Sequence, residues 1–304
     1  MSARVATWLF DGVTAVLLAA IPLYFWSLRG RWAKIPLRGR YVLFAGALGF
    51  LWLAVFYGSF IEPKMLTVRT YEVSAGSGSD KISLAVVSDL HLGVYKGRAW
   101  TERVVRRINE LKPDVILLAG DFAANQAGLE ALEPFRDLRA KDGVYAVLGN
   151  IDYEIGGVDI RRRIESYGIE VLTNESVRLG DSEREVRLIG LDDLKYGHPD
   201  WEAALAEVPA GAFTILAAHN PNAVQRAETL GLDVVVSGHT HGGQIRLPFI
   251  GPLAPLPTRL GRRFDRGLFD YGPVSLLITP GAGETGTRAR LLCPPEISVL
   301  EISY

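Results

Sequence analysis

The chain is organised around one short stretch, which reads Val234-Val235-Val236-Ser237-Gly238-His239-Thr240-His241-Gly242-Gly243-Gln244. Its three β-branched residues predict a buried strand, and Gly238 ends that strand. His239 and His241 then follow on the loop at the carboxyl end of the strand. Neutral imidazoles this close together are suitable ligands for one metal ion or for two adjacent ions. Loop histidines are commonly just solvated, so a metal site needs further ligands from elsewhere in the chain.

Apolar runs elsewhere in the chain also predict strands. These are expected at 66–73, 82–87, 115–119, 144–148, 169–172, 186–191, 213–218, 234–236, 274–278 and 297–302, with a Gly/Ser-rich turn at 74–80. Helices are expected at 104–111, 129–138, 160–167, 201–208 and 223–230. This alternation is typical of an α/β protein with a mainly parallel sheet covered by helices and some antiparallel strands.

The residues at the strand ends share one chemical character, since all are of a metal-ligand type. They are Asp89, His91, Asp121, Asn150, His219, His239 and His241. Loops at the carboxyl ends of parallel strands meet in one crevice, and Asp89 and His91 point to the same side if strand geometry persists. Asp121 alone could cap a helix and Asn150 alone could hold a turn, but the whole set together indicates a metal site. Among the five histidines, only His198 lies elsewhere.

The composition argues against some classes of function. The 304 residues carry 33 basic and 34 acidic side chains, a net charge of −1, so the sequence shows no basic surface for nucleic acid. The single cysteine, Cys293, cannot form an intrachain disulfide, which leaves the redox compartment open. The length suits one large domain with a substantial core.

The amino-terminal part of the chain reads as a membrane anchor. Residues 41–60 form an uncharged apolar run, which as a helix crosses ~30 Å of hydrocarbon. A second apolar run, 12–26, reaches that length only by extending back past Asp11 to Val5, which predicts Asp11 near an interface or against the other helix. A cleaved signal peptide is the alternative, but Trp26-Ser27-Leu28-Arg29 follows the first run in place of small residues. We therefore predict two membrane helices within residues 1–64 and a soluble domain at 65–304.

The charges around these helices predict their orientation. The connecting loop contains five basic residues and no acid: Arg29, Arg31, Lys34, Arg38 and Arg40. Only Arg4 and the amino terminus precede the first helix, and Glu62 and Lys64 offset each other after the second. The positive-inside tendency places the loop in the cytoplasm and residues 65–304 on the extracytoplasmic (periplasmic) side of the inner, or cell, membrane. A basic loop could instead bind substrate, but setting the topology accounts for it more simply.

The ordered motifs along the soluble part resemble those of a known family. They are Asp89-Leu90-His91, Gly120-Asp121, Gly149-Asn150-Ile151-Asp152, His219 and Gly238-His239-Thr240-His241. Over residues 82–304 this order is similar to that of the calcineurin-like metallophosphoesterases. The run 238–244 and the later Cys293-Pro294-Pro295-Glu296 resemble the membrane-anchored bacterial branch of YkuE/YaeI-type phosphodiesterases. The resemblance implies a four-layer αββα sandwich with two metals above its sheets.

The same resemblance implies a role for each motif residue. The first metal would take Asp89, His91, Asp121 and His241. The second would take Asp121, Asn150, His219 and His239, with Asp121 bridging, and Asp121, Asn150 and His219 would also serve catalysis. Two cations about 3.5–4 Å apart hold a bridging hydroxide and stabilise the charge of an in-line displacement at phosphorus. Nitrogen and oxygen ligands without thiolates suit divalent or trivalent Mn, Fe or Zn and do not choose among them.

These motifs predict a membrane-anchored, two-metal phosphodiesterase or pyrophosphate-cleaving hydrolase that acts on a phosphoester substrate. A phosphomonoesterase with the same metals and a non-catalytic metal-binding module are the alternatives. One departure supports the last of these: Ile151 stands where the family has a histidine that contacts the phosphate and protonates the leaving group. The ligands are complete, so water activation should survive. General-acid help, worth ~10²–10⁴-fold, must be lost or come from Asp152, Tyr153 or Glu154.

A proline-rich loop after the ligand histidines bears on the substrate. Residues 247–257 are largely apolar, and Arg259, Arg262 and Arg263 follow them. One interpretation is an ordered cover over the sandwich. The other is an apolar lip with a basic rim that faces the membrane and takes lipid-linked phosphates.

Overall fold

The computed structural model describes residues 3–29, 38–74, 80–181 and 184–304. Arg31 and Lys34 of the predicted basic loop lie outside these residues, as does most of the predicted Gly/Ser turn. Two long helices form the amino-terminal part, α1 at Ala3–Leu28 and α2 at Arg38–Phe56. The indole of Trp52 donates to the carbonyl of Leu18 at 3.0 Å, and the rings of Tyr24 and Phe44 pack edge to face. Because later residues of one helix contact earlier residues of the other, the pair is antiparallel.

Both helices are long and apolar enough to cross a membrane. In the candidate spans, Thr7–Leu28 and Gly39–Lys64, only 11% of the residues are buried within the protein, which is unlike the core helix of a soluble domain. The carboxylate of Asp11 lies 3.6 Å from the guanidinium of Arg288, which belongs to the soluble part of the chain. This pairing agrees with the predicted position of Asp11 near an interface.

The remainder of the chain forms two mixed six-stranded sheets and a small hairpin. The first sheet contains β1 (Thr67–Ser74), β2 (Lys81–Val87), β3 (Val115–Leu118), β4 (Val144–Ala146), β5 (Glu170–Val171) and β14 (Glu296–Ser303). The second contains β6 (Glu175–Leu179), β7 (Val186–Gly190), β8 (Phe213–Ala217), β9 (Val234–Ser237), β12 (Gly267–Tyr271) and β13 (Val274–Ile278). The strand orders are β1-β14-β2-β3-β4-β5 and β12-β13-β9-β8-β7-β6. The hairpin pairs β10 (Arg246–Leu247) with β11 (Gly251–Pro252).

Five further helices complete a four-layer αββα sandwich, as predicted. They are α3 (Arg98–Leu111), α4 (Gln126–Glu130), α5 (Asn150–Glu165), α6 (Trp201–Leu205) and α7 (Val224–Leu230). In β9, Val234 and Val236 pack into the core between the sheets, whereas Val235 packs into the core beneath α6 and α7. Strands buried on both faces are apolar throughout, which explains why these read as continuous hydrophobic runs.

All ten predicted strands agree with the structure within two residues, although β6, β10, β11 and β12 were not predicted. Among the helices, α3 begins six residues earlier than predicted, α6 ends three residues earlier, and two others differ more. The predicted helix at 129–138 is α4 followed by a 3-10 turn, Glu133–Asp137, because Pro134 cannot continue an α-helix. The predicted helix at 160–167 begins ten residues earlier, at Asn150. Gly156 interrupts it with a φ of 118°, which masks the helical pattern of its first half.

Candidate metal centre

The seven predicted ligand residues lie at one edge of the sandwich, just beyond the carboxyl ends of five parallel strands. Asp89 and His91 follow β2, Asp121 follows β3, Asn150 follows β4, His219 follows β8, and His239 and His241 follow β9. Because β2, β3 and β4 are neighbours in one sheet and β8 and β9 in the other, the two sheets deliver ligands to the same place. His198 lies on the exposed surface, as expected for a histidine outside the site.

One group of possible ligands consists of Asp89, His91 and His241, each offering an atom within 4.8 Å of the others. Nε2 of His241 lies 3.1 Å from Nε2 of His91 and 3.3 Å from Oδ1 of Asp89. All three residues are buried, and neither Oδ1 of Asp89 nor Nδ1 of His241 has a hydrogen-bond partner. Buried polar atoms are normally satisfied, so this convergence of lone pairs fits a cation.

The second group consists of Asp121, His219 and His239. Nε2 of His219 lies 3.2 Å from Oδ2 of Asp121 and 3.3 Å from Nδ1 of His239. Nδ1 of His219 lies 2.7 Å from the carbonyl of Ala119 and donates to it, which leaves the Nε2 lone pair for a ligand. Oδ2 of Asp121 is also 3.6 Å from His91 of the first group, so Asp121 lies between the two groups.

Asn150 completes the set at the first residue of α5. Its side chain is buried, borders the same cleft, and has an Oδ1 without a hydrogen-bond partner. An amide oxygen is a suitable metal ligand beside carboxylate and imidazole. The residues present therefore fit two metal ions.

Most of these residues have an unusual backbone conformation. A positive φ is found at five of the seven: Asp89 (51°), His91 (44°), Asp121 (56°), His239 (70°) and His241 (53°). Non-glycine residues rarely adopt this left-handed region, and such strain concentrates at functional sites. Strand geometry, the condition for aligning Asp89 with His91, does not persist, because β2 ends at Val87. Left-handed turns bring them together instead, with Oδ1 of Asp89 3.8 Å from Nε2 of His91.

Two glycines of the motifs are required by close packing. A Cβ on Gly149 would collide with the carboxylate and backbone of Asp121, and one on Gly238 would collide with Asp89 and Ser88. Gly149 thus lets the ends of β3 and β4 approach within one sheet, and Gly238 lets the end of β9 approach that of β2 in the other sheet.

Burial and charge move the pKa values of the imidazoles in opposite directions. Burial opposes protonation of His219, but the charge of Asp121 prevails and raises the pKa of His219 to about 10. Burial, together with the nearby His219, lowers the pKa of His239 to about 4. Burial also lowers the pKa of His241 to about 3, against the attraction of Asp89. His239 and His241 therefore keep free lone pairs at neutral pH, as metal ligands must.

Asp152, which the sequence suggested as a substitute proton donor, is occupied elsewhere. Its fully buried carboxylate accepts hydrogen bonds from the backbone amides of Asp121 and Phe122, both at 2.8 Å, and of Gly149 at 2.9 Å. Burial and the charge of Asp121 raise its pKa to about 7, although these amides oppose the shift. Asp152 therefore positions Asp121 and does not face the cleft. The hydroxyl of Tyr153 donates to Asp192 and is equally engaged.

The cleft above the ligands has a volume of about 290 Å³. Ile151, Lys195 and two prolines of the proline-rich loop, Pro255 and Pro257, are among the residues that border it. Sequence reasoning missed Lys195. The turn that carries it is fixed by Asp193, whose carboxylate accepts from the amide of Lys195 at 2.8 Å. The signal was present, because acidic residues also follow the apolar run of β7.

The late Cys293-Pro294-Pro295-Glu296 motif supports the histidine loop. The thiol of Cys293 lies 3.4 Å from the carbonyl of His241. Beside it, the buried carboxylate of Glu62 accepts from the amides of Leu292 at 2.9 Å and Cys293 at 2.5 Å. Glu62 is therefore part of the packed domain and does not offset Lys64 at the surface, as the sequence had suggested. The segment after α2 is thus joined directly to the loop of the metal centre.

Comparison with known proteins identifies the family. Residues 82–243 match the family described as calcineurin-like phosphoesterase. The chain is 30% identical to the Bacillus subtilis uncharacterized metallophosphoesterase YkuE over 81% of this chain and 88% of that protein. It is also 32% identical to a Danio rerio transmembrane protein with metallophosphoesterase domain, over 78% of this chain and 56% of that protein. The chain therefore belongs to the calcineurin-like phosphoesterase family.

Proposed function

We propose that this chain is a membrane-anchored, two-metal phosphoesterase that cleaves phosphodiester or pyrophosphate bonds at the membrane surface. Membership of the family makes it a metal-dependent phosphoesterase, and its two ligand groups suggest a binuclear site. The observation that carries the proposal is the placement of both groups beneath one open cleft. Two carboxylates and four imidazoles are costly to bury without a cation, which argues against a module that has lost the metals.

Each predicted ligand has a place in this proposal. Asp89, His91, Asp121 and His241 would hold one ion, and Asp121, Asn150, His219 and His239 the other, with Mn, Fe or Zn as candidates. When bound, two such ions activate water and neutralise phosphoryl oxygens. Asp121, Asn150 and His219 would hold these ions at the reacting centre. Because the pKa of His219 is raised, metal binding there must release the proton that Asp121 stabilises.

The charge of the cleft favours a diester over a monoester. Among the described residues that border the cleft, Lys195 is the only cation outside the ligand set. Beyond the charge that the two ions would supply, its ammonium group offers one positive charge, which matches the single negative charge of a diester phosphate. The exposed apolar residues of the proline-rich loop, which also carries Pro255 and Pro257 of the cleft, support a substrate whose phosphate is carried by a lipid.

A pair of substitutions tests the ligand assignment. Asp121→Asn removes the charge that both groups share and should abolish turnover and lower bound metal. His198→Ala alters an exposed histidine that does not border the cleft, so it should leave activity nearly unchanged. Equal losses in both variants, or a normal rate and metal content in Asp121→Asn, would sink the assignment.

We further propose that residues 1–64 anchor the enzyme and that 65–304 lie outside the cytoplasm. The basic residues between the helices support this orientation, and the burial of Glu62 does not weaken it, since acids contribute little to the positive-inside rule. A reporter active only outside the cytoplasm should function when fused after Tyr304. If only a cytoplasmic reporter works there, the orientation is reversed.

A further inference from the structure

The hairpin that follows the metal-ligand loop carries an exposed apolar surface. We call Leu247, Phe249, Ile250 and Leu253 the apolar tip. Phe249 is fully exposed, and Ile250 and Leu253 are 60% and 58% exposed. Leu292 lies beside them and is also exposed. Soluble proteins rarely gather several large exposed apolar side chains in one place without a partner for them.

Arginines border the apolar tip, and three of them are held by hydrogen bonds. They share a groove of about 560 Å³ with it and comprise Arg246, Arg262, Arg263 and Arg266. Arg246 pairs with Asp265, Arg262 donates to the carbonyl of Pro252, and Arg266 donates to that of Leu292 at 3.1 Å. Four arginines against the one aspartate leave three positive charges on the groove, which suits an anionic surface.

The apolar tip is joined to the end of the membrane helices by backbone hydrogen bonds. Gly58, two residues beyond α2, accepts from the amide of Arg290 at 2.9 Å. The carbonyl of Leu291 in turn accepts from the amide of Arg246, the first residue of β10, also at 2.9 Å. Two backbone hydrogen bonds, made by the adjacent residues Arg290 and Leu291, therefore link the hairpin to the segment just after α2. The tip is therefore close to any bilayer that α2 crosses.

We propose that the apolar tip inserts into the surface of the bilayer that holds α1 and α2, while the surrounding arginines bind anionic lipid headgroups. The proposal rests on the membrane insertion included in the proposed function. An aromatic and aliphatic tip with a basic border is the usual composition of interfacial membrane contacts. The same segment continues into Pro255 and Pro257, which border the cleft, so insertion sets the distance between the metal centre and the lipid phosphates.

Site-specific fluorescence tests this contact in the full chain. The protein is reconstituted into phosphatidylcholine–phosphatidylglycerol vesicles and carries an environment-sensitive dye at Ile250→Cys. Phe50→Cys lies on the exposed middle of α2 and reports membrane insertion. Leu230→Cys lies just before the first residue of β9, whereas the ligands follow its last residue, so this label reports a distant surface. Cys293 is fully buried and is retained in every variant. Wild-type protein, which should remain unlabelled by the dye, is the check. Quenchers attached to lipid chains provide the readout.

The expected result is that the labels at positions 250 and 50 lose most of their fluorescence, while the label at 230 does not. Arg262→Gln combined with Arg263→Gln should weaken quenching at 250 in the anionic vesicles and leave position 50 unchanged. Quenching at 50 without quenching at 250 overturns the proposal, and a protein partner for the tip would give that result. Loss of quenching at both positions overturns the membrane anchor itself, and the proposed tip contact with it. None of these readouts depends on turnover, so a failure of the catalytic proposal is recognised separately.

Discussion

Asp152→Asn provides the sharpest test of how the metal centre is held in place. In the native chain one oxygen of Asp152 accepts the amides of Asp121 and Gly149, and the other accepts that of Phe122. An asparagine side chain keeps a single oxygen and turns an N–H group toward at least one of these amides. Because the site is fully buried, no bulk water is available to the amide that loses its acceptor.

The cost follows from the number of hydrogen bonds lost. A buried donor left without a partner costs ~1–3 kcal/mol, so the free energy of unfolding should fall by about that amount. The backbone of Asp121 is held by one of these bonds, so its carboxylate should lose its position. Groups that orient metal ligands typically change metal affinity ~10–100-fold, and we expect a loss in that range.

The assay compares Asp152→Asn with Asp159→Asn, an exposed aspartate on the same helix. Thermal unfolding is measured with a chelator and with excess metal, and metal affinity by titration. The Asp159 variant should match wild type in both measurements. If Asp152→Asn keeps wild-type metal affinity while losing stability, Asp152 does not position the metal centre. If it loses neither, the hydrogen bonds to the three amides are not what holds this turn.

Two further predictions concern groups outside the ligand set. Burial lowers the pKa of Lys96 from its ordinary 10.5 to about 7, although the charge of Glu284 opposes this shift. Between these two pH values the unfolded chain binds more protons than the folded chain, so the free energy of unfolding should rise with pH. Thermal unfolding measures the free energy of unfolding of the native chain and of Lys96→Met as a function of pH. The difference between the two should rise by up to ~1.4 kcal/mol per pH unit, and parallel curves for the two proteins would contradict this. Phe249→Ser should lower kcat/KM for a phosphodiester lipid in vesicles but not for a soluble aryl diester. Equal effects on both substrates would show that Phe249 acts on the cleft and not through the bilayer.

The ligand set could be predicted because its signal is local. A strand buried on both faces is a continuous apolar run, and a polar residue placed just after it stands at the sheet edge where other strands also end. This is true of Asp121 after β3 and of His219 after β8. Acidic residues also follow the apolar run of β7, so the sequence marked this strand end too. Lys195 was nevertheless missed, because lysine is not a metal ligand and only the folded turn brings it to the cleft.

The supporting interactions could not be read from the sequence, because they join distant parts of the chain. Glu62 bonds to amides some 230 positions away, and no local pattern distinguishes it from a surface charge. The left-handed backbone at Asp89 and His91 is likewise set by packing, because their residue types alone permit several conformations. The early start of α5 at Asn150 was hidden by Gly156, which interrupts the helical period.

The departure at Ile151 leads to the last prediction, which concerns the leaving group. The backbone amide of Ile151 donates to Oδ1 of Asp121 at 2.8 Å, while its side chain borders the cleft. Asp152 and Tyr153 are engaged elsewhere, and Glu154 is exposed and does not border the cleft, so none of the three replaces the missing histidine. Lys195 is the remaining candidate, and we expect it to act on the phosphate through its charge.

Without a proton donor, the rate should depend steeply on how stable the departing oxygen is by itself. Aryl diesters and pyrophosphates leave as weakly basic anions, whereas alkyl esters leave as strongly basic alkoxides. Ile151→His should therefore speed alkyl esters by ~10²-fold and change activated esters little, which flattens the dependence of kcat/KM on leaving-group basicity. Lys195→Met should lower kcat/KM for every ester by ~10–100-fold, the value of one charged hydrogen bond, with the slope unchanged. Equal slopes in wild type and Ile151→His would mean that a donor is already present, and a steeper slope in Lys195→Met would identify that donor as Lys195.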